Sequence, residues 1–112
     1  MKEIVREDDG ALLGYVGRVE GGWQPMTVFG YPLGPAAEQD AAEELVGREG
    51  LDRLAGRWEF RSGGEWYSCV LQEADLARVR VRPTDPGYPG HEHSLELSKP
   101  GTGELRPLGW RP

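Results

Sequence analysis

Residues 57–83 read R-W-E-F-R-S-G-G-E-W-Y-S-C-V-L-Q-E-A-D-L-A-R-V-R-V-R-P, and no other stretch limits the fold as strongly. Trp58 and Phe60 alternate with Glu59 and Arg61. Period-two alternation of this kind marks a half-buried strand. Ser62, Gly63 and Gly64 supply the glycine-rich loop of a hairpin, because glycine reaches positive φ without steric cost. Residues 65–73 return as a second strand, with Trp66, Ser68 and Val70 on one face and Tyr67, Cys69 and Leu71 on the other. Both faces are largely apolar, so this strand is expected at the centre of its sheet. Residues 74–77 turn. Val79 and Val81 then point inward and Arg78, Arg80 and Arg82 outward. Pro83 cannot donate to a ladder, so it ends that strand or marks an edge.

The outward arginines admit two readings. One is a solvated face, its guanidinium stems covering apolar surface and pairing across strands to Glu59 or Glu73. The other is a cationic stripe for carboxylates or phosphates, which guanidinium geometry suits.

The rest of the chain is turn-rich, with 17 Gly and 9 Pro in 112 residues, as a mainly β chain of short elements requires. Residues 12–20 and 23–31 read as a hairpin about Gly21-Gly22. Ile4 and Val5 can begin a strand before it. Gly14 and Gly17 imply a bulge or a close backbone approach, and Pro25 an edge position. Pro35 fits the first position of a helix over residues 36–46, with Ala37, Ala41 and Leu45 on its apolar face. Gly47 and Gly50 are expected to break it. A short helical turn over 51–55 is expected to end with Gly56 in the left-handed conformation. After the central stretch, residues 84–92 form a turn region in which glycine and proline flank Tyr88. Residues 94–98 and 104–108 are two further short strands, and the tail holds Trp110.

These elements predict an α+β, mainly β chain. A module over 1–56, a β-hairpin with helix, precedes a five-strand antiparallel module over 57–112, or the two share one core. Charge changes at the same boundary. Residues 1–56 hold 11 acids and 5 bases, residues 57–112 eight of each, for a net charge of −6. That balance disfavours a general nucleic-acid binder, which needs a cationic footprint. The single cysteine, Cys69, excludes an internal disulfide and reads as a small core hydrophobe. The start lacks the apolar core of a secretory signal, and no apolar run approaches membrane-spanning length, so a cytoplasmic protein is expected.

The second half resembles Tudor and agenet-type modules, small barrels of the SH3-like class. The matching residues are Trp58 with Phe60, Trp66-Tyr67 with Val70, Val79 and Val81, Leu95 and Leu97, and Leu105-Arg106-Pro107-Leu108. The resemblance implies a binding module, and in some members an aromatic cage for methylated lysine or arginine, which works by cation–π attraction. Tyr67 and Tyr88 fall where a cage would have them. The third strand departs from the pattern by placing Arg78, Arg80 and Arg82 where a cage would carry an aromatic. The first half looks like the sheet-plus-helix modules of the AP2 and integrase-arm class, which bind DNA through basic sheet residues. Here Arg18 is the only base in the hairpin, so the shape is carried over and the activity is not.

No nucleophile elbow, P-loop or dinucleotide fingerprint is present. His91 and His93 are the sole metal-type candidates, with Asp85 as a third donor. Two loop histidines without a cysteine pair fall short of a zinc site, so no metal or other cofactor is expected. The leading expectation is a non-enzymatic module binding a protein or peptide partner through Arg78, Arg80 and Arg82, with Tyr67 and Tyr88 at the edge of that face. Alternatives are a nucleic-acid accessory domain using the same stripe, and a small acidic inhibitor acting through Glu38, Glu43 and Glu44.

Overall fold

A computed structural model describes residues 1–108; Trp110 lies outside the described residues. Contacts divide the chain into two compact units, Met1–Leu54 and a second that starts at Ala55.

The first unit is a three-stranded antiparallel sheet, β1 (Lys2–Val5), β2 (Leu12–Val19) and β3 (Gly22–Met26), in the order β1-β2-β3. The strand that Ile4 and Val5 suggest is thus present and pairs with the first strand of the hairpin. Helix α1 (Gln39–Glu49) and the single turn α2 (Asp52–Ala55) follow. Leu13, Val16, Leu33, Ala42 and Val46 form the buried core of the unit, with Ile4, Trp23, Leu45 and Leu51 packed against it.

Three local readings over residues 1–56 are corrected. Residues 27–31 are not strand. Thr27 is fully buried, its hydroxyl accepts from the Tyr31 N–H at 3.2 Å, and the two backbones close a tight loop through Thr27 N–H to Tyr31 O at 2.8 Å. Pro35 does not start the helix. Ala37 exchanges two backbone bonds with Trp23, at 2.7 and 2.9 Å, and these hold the chain extended as far as Glu38. The helix therefore enters later and in another phase. Ala42 and Val46 face the core, Ala41 is exposed, and Gly47 lies within the helix. Gly56 does not take the left-handed conformation, because α2 is one turn and passes directly into a strand.

Gly14 has φ +153°, and a side chain there would collide with the Met26 carbonyl and with Val46 Cγ1. It sits where the β1–β2 register shifts between Ile4 and Val5. A bulge and a close approach therefore meet at one glycine, and the gap lets α1 lie against the sheet.

The second unit is a five-stranded antiparallel sheet: β4 (Arg57–Ser62), β5 (Glu65–Ala74), β6 (Arg78–Pro83), β7 (Leu95–Ser98) and β8 (Leu105–Pro107). Its order is β7-β6-β5-β4-β8. The four-strand meander and the central place of β5 match the alternation in the sequence. The barrel expected there is not closed: β7 and β8 are the two edges of the sheet. Gly63 and Gly64 both have positive φ, +59° and +84°, which a two-residue type I′ turn demands. Asp75 Oδ1 accepts from the backbone N–H groups of Ala77 and Arg78, at 2.8 and 3.0 Å, and so shapes the β5–β6 turn. One face of the sheet holds Trp58, Phe60, Cys69, Val79, Val81 and Leu105, all buried. Among the described residues, no helix is long and apolar enough to cross a membrane.

Candidate functional site

Cross-strand partners in an antiparallel sheet share a face, so register alone assigns the site. Trp58 stands opposite Cys69 and Phe60 opposite Tyr67, which puts Tyr67 on the buried side. Arg82 stands opposite Val70, and Arg80 opposite both Glu73 and Glu96. The arginines and Tyr67 therefore occupy opposite faces of the sheet. Tyr88 goes with Tyr67: its ring centroid is 5.2 Å from Tyr67 and 5.2 Å from Phe60, edge-on to both. The site expected from sequence is thus divided. Arg78, Arg80 and Arg82 share one face, and the tyrosines form a three-ring cluster with Phe60 on the other.

That cluster is closed on itself. Tyr88 meets the other two rings edge-on, and Phe60 and Tyr67 lean together at 42° with centroids 5.9 Å apart, instead of standing around a gap as offered faces would. Tyr88 donates its hydroxyl proton to Glu92 at 3.0 Å. Burial, helped by Glu92, raises the Tyr88 pKa above the usual phenol value. Asp85 ties the loop to β5 by accepting from the Gly87 N–H at 2.9 Å and the Ser68 N–H at 3.1 Å. Those two backbone donors hold its carboxyl below the usual range.

On the outer face, ion pairs already occupy much of the arginine stripe. Arg78 lies 3.3 Å from Glu96, and Arg80 lies 3.4 Å from Glu73 and 3.9 Å from Glu96. The solvated reading describes these two residues. Arg82 is exposed and has no carboxylate within ion-pair distance among the described residues. Arg57, across β5 from it and also opposite Val70, is in the same state.

The aromatic residue on this face is Trp66. It is half-buried, opposite Arg61. The Arg106 guanidinium lies 3.9 Å from its ring centroid and that of Arg61 6.0 Å. Arg106 in turn donates Nε–H to Glu59 at 2.9 Å. The pair is about three-quarters buried, with side-chain exposures of 26% and 20%. Trp66, Arg106 and Glu59 thus form a held platform on a face where Arg57, Arg61 and Arg82 have no carboxylate within ion-pair distance among the described residues. The sequence already placed Trp66, Ser68 and Val70 together. What was missed is that the Gly63-Gly64 hairpin fixes the register and brings Arg57 and Arg61 beside them.

His91 and His93 are exposed and lie outside any strand, which removes the shared face they would have had in one. Among the described residues, no group of three or more His, Cys, Asp or Glu side chains could hold a metal ion. Cys69 is fully buried, and burial, with Glu59 second, pushes its thiol up to about 12. A thiol in that state is a poor nucleophile. The acids on α1 are largely engaged: Glu43 with Lys2 at 3.0 Å, Glu44 with Arg48 at 3.6 Å, and Glu49 with Arg53 at 2.9 Å.

Comparison of the chain with protein-family models, with curated proteins and with solved structures gives no match.

Proposed function

We infer that the chain is a non-enzymatic binding module, and that the outer face of its second sheet receives a protein or peptide partner. One observation carries this reading. Trp66 is held half-exposed between Arg106 and Arg61, on a face that also presents Arg57 and Arg82. Tryptophan and arginine dominate the energetics of protein interfaces, most of all when neighbouring contacts fix them beforehand. The second unit is read as a small barrel of the SH3-like, Tudor-type class. The pairing of β8 back onto β4 supports that reading, since a four-strand meander needs its following strand to return to the first one to begin closing.

The test is affinity capture by the tagged full chain, with and without nuclease, beside a Trp66→Ala/Arg82→Ser variant and a Tyr88→Ala variant. The expected result is a nuclease-resistant protein partner that the outer-face variant loses and Tyr88→Ala keeps. Capture that vanishes after nuclease assigns the face to nucleic acid. Capture lost only in Tyr88→Ala moves the site to the ring cluster.

A further inference from the structure

We propose that Arg57 and Arg82 form a two-arginine subsite for one carboxylate of an extended peptide, with Val70 as its floor. The proposal rests on the binding-face reading and names the ligand chemistry of that face.

The sheet sets the geometry. Both arginines are cross-strand neighbours of Val70, one on each side. Their Cα atoms are therefore two strand spacings apart, about 10 Å, a gap that two guanidinium side chains close over a single anion. Val70 is half-buried and gives the subsite an apolar floor. A weakly hydrated guanidinium next to apolar surface favours a planar carboxylate, which it binds through two parallel hydrogen bonds.

The other arginines of the face define what the subsite rejects. Two residues along β4 from Arg57 stands Glu59, bound to Arg106; two residues along β6 from Arg82 stands Arg80, bound to Glu73 and Glu96. A ligand with regularly spaced phosphates would set its next charges, one spacing on, against these satisfied pairs; the next open donor, Arg61, stands four residues from Arg57 along β4, about 13 Å away. An isolated carboxylate pays no such penalty. Trp66 lies four residues from Val70 along β5, about 13 Å away. A peptide lying along β5 would therefore carry an acidic residue and, about four positions on, an apolar or aromatic residue for the tryptophan platform.

The test uses the full chain and an array of acetylated, amidated peptides of about seven residues, the span of one strand. Each has a central Glu in an Ala/Leu/Phe background. Twins carry Gln, phosphoserine or three Glu at the centre, and a single-stranded oligonucleotide of similar length is added. The single-Glu peptides are expected to bind about tenfold or more tighter than their Gln twins, the share of a charge-assisted hydrogen-bond pair. Arg57→Gln and Arg82→Gln should each erase that preference, and Arg78→Gln should leave it. A preference that survives both substitutions overturns the proposal. So does tighter binding of the three-Glu peptide, the phosphopeptide or the oligonucleotide. If Trp66→Ala weakens all peptides but the Glu preference follows Arg78 or Arg80, the subsite fails and the binding face stands. If no peptide binds and the Trp66 indole resonance never moves, both fail.

Discussion

Arg106 offers the sharpest test of whether the outer face is built or merely exposed. Its guanidinium is bonded to Glu59 at 2.9 Å and stacked on Trp66 at 3.9 Å. A charge-assisted hydrogen bond contributes about 1.5–3 kcal/mol. With about a quarter of each side chain exposed, the lower end applies, about 1.5 kcal/mol. The stacking adds about 1 kcal/mol. Arg106→Ala should therefore destabilise the chain by about 2.5 kcal/mol, leaving it folded against a typical domain stability of about 5–15 kcal/mol. Double-mutant cycles separate the two parts. Arg106→Ala with Glu59→Ala should show a coupling of about 1–1.5 kcal/mol, and Arg106→Ala with Trp66→Ala about 0.5–1 kcal/mol. Urea unfolding followed by far-ultraviolet circular dichroism measures each cycle. Couplings below about 0.3 kcal/mol in both would refute the reasoning, because they are what an unorganised surface pair gives.

Four other outcomes are expected. Gly14→Ala should cost about 3 kcal/mol of stability, read as a lower urea midpoint, from the φ cost and the collision with the Met26 carbonyl and Val46; an unchanged midpoint would mean that the helix does not depend on that gap. Cys69, with its pKa raised to about 12, favours the folded state fully below about pH 9, and that contribution should fade as the pH rises toward 12. The Cys69→Ala variant should show a flatter alkaline stability profile, and the native thiol should resist thiol-reactive dyes until the chain unfolds. Asp85, held below its ordinary value by the Gly87 and Ser68 amides, stays ionised until the pH falls below the usual carboxylate range. Amide exchange at Gly87 and Ser68 should then rise, as it should at neutral pH in Asp85→Ala. Finally, Asp9, with Arg6 and then the Ala11 N–H as partners, is held down at about 2, so its carboxyl carbon resonance should keep its ionised shift down to about pH 3.

Much of the second unit was legible because alternation in a strand is a strict period. Trp58, Phe60, Val79 and Val81 sort inward without any knowledge of neighbours, and all four are buried. The division of the candidate site was less visible. Tyr67 and Arg82 lie in adjacent strands, and which face they share depends on register, set by the turn at Asp75 and the bulge between Leu71 and Glu73. The phase of the helix escapes the sequence for a comparable reason. Pro35 and Ala37 have the local character of a helix start, but two backbone bonds to Trp23 override it. Closure of the sheet had no local signal, since it depends on whether its two edge strands meet.

The most direct measurement is chemical-shift mapping of the full chain as a captured partner, or a binding peptide, is added. The account predicts shifts at the Trp66 indole N–H, at the amides of Arg57, Val70 and Arg82, and along β5, with little change at Tyr88 or on α1. Shifts centred on Glu43 and Glu44, or on Tyr67 and Tyr88 alone, would contradict it.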